Sequence, residues 1–387
     1  MFYLIPGLFD YVLYGIFFIS AYRLAELGAS ALTVSTPMAL WGIVYALSAP
    51  LVGRITTAGN AVKLLRLSGW GTAVCAVLFI FFQSVWGMLL LIGVMGVVAA
   101  FYCIPFQMCA NSGNSGRTPE RAAGFYTFAW SIGTAAGTFG FGCLPGAAGF
   151  IVNALIGVAM VFLASRTGKA AKEVSADEVC AEEAPSAPSS PMMPVWIFGA
   201  VCALCMAVAG ALLPLRGVEL KAGVLLSGII LGVLRLFQGI AALLFIRWYK
   251  VMSVPFFLLP GVLSGVGGMF LLAYGNTIFL LLAGSILFGI CGGIFYFSLV
   301  FHALRNGKNS ARCLGVNEMI LGISGIAAPP AGGAVAQACG TGIAFSCCAG
   351  LLLLGAAAAF IINVFVNRNH IKKTNVSKDQ PRKVEVK

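Results

Sequence analysis

The chain has 387 residues, of which 60% are hydrophobic and only 9% are charged. A soluble globular domain carries roughly 25% charged residues, so this composition excludes a soluble fold and predicts that the lipid bilayer is the solvent. The formal net charge is +12. The basic residues are spread along the chain, so we interpret them as contacts to membrane lipids on one face and not as a nucleic-acid-binding surface.

Twelve apolar segments are long enough to cross a hydrocarbon core of about 30 Å, which takes roughly 20 residues per helix. In chain order, they lie near residues 4–24, 31–53, 67–83, 86–109, 122–142, 147–165, 194–214, 222–246, 254–274, 277–301, 313–335 and 342–366. No secretory signal peptide is expected, because the first residues lack a basic region and enter the first segment at once.

Basic residues occupy every second gap between these segments. Of the 24 Lys and Arg residues, 20 lie in a gap that follows an even-numbered segment or in the C-terminal tail. The exceptions are Arg23, Arg216, Lys221 and Arg235. Such an excess marks the cytoplasmic loops of multi-pass proteins. We therefore predict an integral protein of the plasma (inner) membrane with cytoplasmic N- and C-termini.

A polar stretch divides the chain into two similar halves. Residues 166–193 are first charged and then rich in Pro, Ser and Ala, which is typical of a linker. An Arg-x-x-Gly pattern at Arg121 precedes the fifth segment and recurs at Arg312 before the eleventh. Parallel repeats of this kind are typical of secondary transporters. We predict an N-terminal six-helix bundle (1–165), a cytoplasmic linker (166–193), a C-terminal six-helix bundle (194–366) and a basic cytoplasmic tail (367–387).

The gap after the second segment reads Gly53-Arg54, followed by Gly59. It is similar to the G-x-L-x-D-R-x-G-R-like turn of the major facilitator superfamily, although the acidic residue is absent. The matching gap of the second half keeps the basic residues Arg247 and Lys250 without the Asp and the Gly. With two halves of six segments, a long central loop and both termini inside, the chain resembles this family over essentially its whole length.

The resemblance implies an all-α integral membrane fold of about twelve transmembrane helices in two pseudo-symmetric six-helix bundles. It also implies a small solute moved by alternating access, with a gate at the signature loops. The residues of this chain at those loops are Gly53, Arg54, Gly59, Arg121, Arg247, Lys250 and Arg312. No substrate subfamily follows from motifs that depart so far from the family pattern.

Small residues in the fifth and eleventh segments predict close helix packing. They are Gly133, Gly137, Pro329, Gly332 and Gly333. The family resemblance gives these faces a mechanical role, because its second, fifth, eighth and eleventh spans form a sliding interface between halves. Pro329 and Pro330 are expected to kink or end the eleventh segment, because proline removes a helical hydrogen bond.

Three charged residues interrupt the apolar segments, and a charge there costs about 2.5–3.5 kcal/mol on insertion scales. The first is Asp10, with Tyr14 one turn further along the first segment. A carboxylate at this place could bind a cation or carry a proton. Alternatively, it reaches back to the cytoplasmic headgroups or pairs with a neighbouring basic residue.

The second is Arg235, near the middle of the eighth segment and too deep to reach either membrane surface easily. Gln238 lies one turn away on the same helical face. Together they could hold a carboxylate or phosphate of a substrate, because guanidinium is a donor fork that stays charged. The alternative is a structural ion pair inside the bundle.

The third is Glu318, which follows Asn317 at the start of the eleventh segment. We hypothesise a gate in which Glu318 pairs with Arg54 when the cytoplasmic side is closed, replacing the acid missing from the signature loop. The alternative is a carboxylate stabilised by the N-terminal end of a helix. The weaker polar candidates are Tyr102, Gln107, Tyr126, Trp130, Tyr296, Ser298 and His302. The pKa range of histidine suits proton coupling, and the alternative is an interfacial histidine without a role.

The residues thus predict a secondary active transporter, with proton coupling as one option. No phosphate-binding loop or metal-ligand cluster is evident, so no cofactor, metal site or enzymatic reaction is predicted. We expect a monomer whose partners are lipids, a small solute and, in the coupled case, protons, without nucleic acid. The alternatives are a non-transporting sensor or scaffold on the same fold and a membrane-embedded lipid-modifying enzyme.

Overall fold

The computed structural model describes residues 4–57, 59–112, 118–144, 146–174, 192–249, 254–306 and 309–378, with side chains except at 107–112, 167–174, 254–258, 311 and 367–378. Most of the predicted linker (175–191), Lys250 and the end of the predicted tail (379–387) lie outside the described residues, and so does the side chain of Gln107.

The described residues form twelve α-helices and no strand, which confirms the predicted all-α membrane fold. The helices are α1 Leu4–Glu26, α2 Ala31–Ile55, α3 Ala61–Phe81, α4 Val85–Ser112, α5 Pro119–Cys143, α6 Ala147–Val174, α7 Met192–Glu219, α8 Gly223–Trp248, α9 Val254–Tyr274, α10 Ile278–Leu304, α11 Ser310–Cys339 and α12 Thr341–Lys378. The first part of the predicted tail therefore continues α12.

Ten of these helices are long and apolar enough to cross a membrane. In α9, the stretch with fully described side chains, 259–274, is apolar but shorter. Helix α5 is long enough, but Gly, Ala and Thr make its sequence less apolar than that of its neighbours. It lies between α1 and α8, so protein packing replaces lipid around much of its surface.

The packing of helices repeats between the two halves. In the first half α1 packs on α5, α2 on α4, and α3 on both α4 and α6. In the second half α7 packs on α11, α8 on α10, and α9 on both α10 and α12, which is the same pattern six helices later. The two bundles meet mainly through α5 with α8 and through α2 with α11, which are equivalent pairs under the same repeat.

Two glycines of α5 bring it into backbone contact with α1. A Cβ atom at Gly133 would overlap the backbone of Gly7, and one at Gly137 would overlap the backbone of Tyr11. Both glycines therefore serve packing inside the first half. The face of α5 that meets α8 is a different one, with Thr138 against Gly228 and Ala135 against Gly232.

Helix α11 continues without interruption through Pro329 and Pro330 and ends at Cys339. The two prolines therefore do not end the segment. Gly332 faces Val208 of α7 in its own half, whereas Gly333 faces Ala31 and Ser35 of α2 in the other half. Of the two glycines predicted in α11, Gly333 lies at the interface between the halves and Gly332 lies inside the second half.

Candidate functional site

The contact between α2 and α11 shows where the bundle is closed. We call the side on which α1 begins the terminal side, and the other the opposite side. Towards the opposite side, a Cβ at Gly333 would lie 2.9 Å from the carbonyl oxygen of Ala31, and one at Gly42 would lie 2.9 Å from a side-chain carbon of Ile326. The two halves are thus in van der Waals contact from the middle of the bundle to this side.

Towards the terminal side, the glycines on the same face of α11 have open space beside them. Gly315, Gly322 and Gly325 recur on one face at helical spacing, and a Cβ at any of them would have no neighbour within 4 Å. Glu318 lies on this face and is exposed. Space therefore separates α11 from the first half on the terminal side.

Glu318 faces this space from the inside of the bundle. Although exposed, it lies within electrostatic range of Tyr45 of α2, Cys103 of α4 and Tyr126 of α5. A carboxylate that is exposed and yet interacts with three helices of the other half marks a cavity between the halves. We call this space the central cavity. Tyr45 is held in place by its stacking on Trp41, with ring centroids 5.3 Å apart.

Arg235 lies deeper, in the middle of α8, and is only 2% exposed. Its Nη1 donates a hydrogen bond to Oε1 of Gln238 at 3.0 Å, and its Cζ lies 5.2 Å from the ring centroid of Tyr14 in α1. Its Nε is buried and has no hydrogen-bond partner. Among the described residues the one salt bridge is Arg216–Glu219, so no carboxylate within 4 Å neutralises Arg235.

Gln238 connects Arg235 to the other half. Its Nε2 donates to Oγ of Ser131 in α5 at 2.9 Å, and both residues are fully buried. The predicted pair of Arg235 and Gln238 is therefore present, but Gln238 is occupied at both ends of its amide. Gln238 therefore orients the guanidinium and bridges the two halves. Within the pair, the donor without a partner is Nε of Arg235.

Aromatic rings surround the guanidinium. Tyr296 of α10 interacts with Arg235 and meets Trp130 of α5 edge to face, with centroids 4.8 Å apart. A mostly apolar pocket lies next to the guanidinium, towards the opposite side of the bundle. Both halves contribute to it, and its lining includes Tyr14, Phe17 and Gly210. A Cβ at Gly210 would lie 3.4 Å from Nη2 of Arg235, so the glycine leaves this nitrogen next to the pocket.

Asp10 is half-buried and belongs to the same region. It lies within electrostatic range of Arg235, and both of them act on Tyr14. It also acts on Tyr102, whose ring stacks on Phe9 at 4.0 Å. The pair Asp10 and Tyr14 of α1 is thus brought together with the pair Arg235 and Gln238 of α8, which is distant from it in sequence.

Asn317 and His302 are placed differently. Asn317 accepts a hydrogen bond from Nε1 of Trp196 at 2.9 Å and donates to the carbonyl oxygen of Leu299 at 2.9 Å. It therefore ties α7, α10 and α11 together inside the second half. His302 is 4% exposed in α10 and packs edge to face against Phe301. Neither side chain extends the group around Arg235.

The predicted loop residues lie at helix ends or in the gaps on the terminal side. Those with described side chains are exposed: Gly53, Arg54, Gly59, Arg121, Arg247 and Arg312. None of these arginines forms a salt bridge within the described part of the chain. Arg54 and Glu318 therefore form no salt bridge with each other in this conformation, and the gate that would pair them stays a prediction.

Three residues near these sites were not predicted from the sequence. Ser131 lies next to Gln238, and Tyr45 and Cys103 lie within electrostatic range of Glu318. Ser131 had a readable signal, because it starts a row of small residues on one face of α5, continued by Ala135, Thr138 and Gly142. The other two residues had none, because a tyrosine and a cysteine within apolar segments read as ordinary packing.

The fold is similar to that of solved transporters. The nucleoside transporter NupG has a TM-score of 0.69 at 13% identity, over 93% of this chain and 98% of that one. The human organic anion transporter MFSD10 (TETRAN) has a TM-score of 0.65 at 13% identity, over 92% and 99%. A bacterial homologue of the human lysosomal transporter Spinster, in an inward-facing and unoccupied conformation, has a TM-score of 0.66 at 12% identity, over 94% and 95%.

No curated protein sequence matches the chain. The family model of the Major Facilitator Superfamily, however, matches residues 3–304, which is most of the chain. Together with the repeated six-helix bundles, this match shows that the chain belongs to the Major Facilitator Superfamily and is a membrane-embedded, non-enzymatic transporter of small solutes.

Proposed function

We propose that the protein is a secondary active transporter that works by alternating access, and that the structure represents its inward-facing state. The observation that carries this proposal is the face of α11 around Glu318, which is open on the terminal side while Gly333 holds α11 against α2 on the opposite side. The basic gaps put the terminal side in the cytoplasm. The cavity then opens to the cytoplasm and is closed to the outside.

Asp10 is our proposed coupling residue. It is a carboxylate inside the bundle, near Arg235 but without a salt bridge to it. Protonation removes the cost of a charge at this depth, so a proton that binds Asp10 changes the local charge balance around Arg235. The protein would then bind a proton together with, or in exchange for, its solute.

Cysteine accessibility tests the direction of opening. Cys103 is partly exposed and faces Glu318, whereas Cys143 is exposed at the end of α5 on the opposite side. In two single-cysteine variants, a membrane-impermeant maleimide should label Cys103 only from the cytoplasmic face and Cys143 only from the outer face. Labelling of Cys103 from the outer face with the resting protein would contradict the assigned orientation of the cavity.

A second measurement tests transport itself. Proteoliposomes preloaded with a solute found by binding should show counterflow of that solute, and an inward proton gradient should drive its net accumulation or its extrusion. Asp10→Asn should keep counterflow and lose the gradient-driven movement, because exchange needs alternating access but no proton. Loss of both in a well-folded variant would make Asp10 a substrate contact instead, and binding without any flux would favour a sensor.

A further inference from the structure

Arg235 is a buried charge whose surroundings supply too little compensation. The guanidinium is 2% exposed, one nitrogen donates to neutral Gln238, the neutral hydroxyl of Tyr296 also interacts with it, and Nε has no partner. A buried charge is costly unless it is paired and hydrogen-bonded. Because Gln238 spends its other end on Ser131, it cannot be the group that offsets the charge. Of the carboxylates in the described part of the chain, Asp10 lies near Arg235 but forms no salt bridge with it, so a donor nitrogen of the guanidinium remains for an anion from outside the protein.

The surfaces beside Arg235 are aromatic and come from both halves. Tyr14 covers the guanidinium at 5.2 Å, and Tyr296 lies next to it with Trp130 edge-on. Towards the opposite side, the pocket next to Nη2 is lined by Tyr14, Phe17 and Leu231 among mostly apolar neighbours. A small inorganic anion would leave these ring faces unused, whereas a flat ring attached to an anionic group can stack on them.

The position also suits a site that is reached from each side in turn. Towards the terminal side, Asp10 lies within electrostatic range of Arg235. It is also within range of Cys103 and Tyr126, which are in range of Glu318 in the central cavity. The pocket of Tyr14 and Gly210 lies on the other side of the guanidinium and is walled by α1 and α2 from one half and by α7 and α8 from the other. Separation of the halves on the opposite side would open this pocket without moving Arg235 away from it.

We propose that the transported solute is a small organic anion with a planar aromatic ring. Its carboxylate or similar group pairs with the free donors of Arg235, and its ring lies between Tyr14 and the Tyr296–Trp130 pair. That the bound anion is also transported rests on the proposed function. The binding site itself stands on the contacts of Arg235 alone, so it can be tested without any flux.

The test is thermal stabilisation of the purified full-length protein by four probes that separate charge from aromaticity. Benzoate has both, cyclohexanecarboxylate keeps the charge without the ring, benzyl alcohol keeps the ring without the charge, and inorganic phosphate is an anion without carbon. Benzoate should stabilise the protein in a saturable way. Benzyl alcohol and phosphate should bind at least about tenfold more weakly, and cyclohexanecarboxylate about 2- to 10-fold more weakly.

Variants assign the effect to the site. Arg235→Gln should weaken benzoate binding by about 10-fold or more, because a charge-assisted hydrogen bond is lost. Tyr296→Leu should weaken it about 2- to 10-fold, and Tyr296→Phe much less, because the ring is kept. The matched control is Arg305→Gln, because Arg305 also lies over an aromatic ring, that of Phe301 at 5.4 Å, but at the end of α10. It should bind benzoate like the unmodified protein.

Three results would overturn the proposal. Equal stabilisation by benzoate and cyclohexanecarboxylate would remove the ring from the substrate class, and equal stabilisation by benzyl alcohol would remove the anion. Benzoate binding that survives Arg235→Gln would place the anion elsewhere. Arg235→Lys keeps the charge and should bind benzoate more tightly than Arg235→Gln, which separates loss of the charge from misfolding. None of these results changes the labelling pattern of Cys103. The experiments can therefore refute the proposed substrate class without refuting alternating access, and the reverse.

Discussion

The contact of Gly333 with α2 yields the sharpest prediction about conformational balance. A Cβ at this position would overlap Oγ of Ser35 and lie 2.9 Å from the carbonyl oxygen of Ala31 and 3.0 Å from Cα of Leu32. Two of these neighbours are backbone atoms that cannot turn away. Gly333→Ala should therefore push α11 from α2 on the opposite side, where the inward-facing state needs them in contact.

The expected size follows from the cost of overpacking, about 1–3 kcal/mol. If this cost falls on the inward-facing state alone, the equilibrium between the two states shifts about 5- to 150-fold towards the outward-facing one. The assay is the initial rate of maleimide labelling of Cys103 from the cytoplasmic face, with Cys103 as the single cysteine. In Gly333→Ala this rate should fall in proportion to the population of the inward-facing state.

The matched control is Gly350→Ala in α12. Gly350 is exposed, and a Cβ there would have no neighbour within 4 Å. In Gly350→Ala, the labelling rate of Cys103 should equal that of the parent protein. Adding Ser35→Gly to Gly333→Ala should restore part of the rate, since one of the three contacts is then relieved. If Gly333→Ala and Gly350→Ala label alike while both proteins are folded, the contact of Gly333 with α2 does not keep the opposite side closed.

Three further predictions concern individual contacts. Ser131→Ala and Gln238→Leu should be coupled by about 0.5–1.5 kcal/mol in a double-mutant cycle of thermal unfolding, because they remove the two ends of one buried hydrogen bond; purely additive effects would show that the bond contributes nothing. Gly133→Ala should lower the free energy of unfolding by about 1–3 kcal/mol relative to Gly350→Ala, because its Cβ meets the backbone of Gly7, and equal melting temperatures would contradict this. Arg54→Glu and Glu318→Arg should each reduce transport, and the double reversal should restore it; a folded but inactive double variant would refute the gate.

Some features of the site could be predicted because they are properties of single segments. Arg235 and Asp10 stand out since a charge in an apolar segment is costly wherever the segment packs. The proximity of Gln238 to Arg235 follows from helical spacing alone. Asn317 was also expected at the site because it is polar and next to Glu318, but its amide turns to Trp196 and Leu299 inside the second half. Sequence spacing does not say which neighbour an amide will choose.

The sequence by itself determined the membrane fold, the two halves and the few charges that orientation does not explain. Hydrophobicity, loop charge and helical spacing act locally, so they can be read without knowing which helices touch. Only the tertiary structure decided which residues complete the site and which side is open. Ser131 and Gln238 are 107 residues apart, and Glu318 comes within electrostatic range of Tyr45, Cys103 and Tyr126 of the other half. Such contacts depend on how two bundles pack against each other, and the same sequence must allow more than one packing if the protein alternates between states.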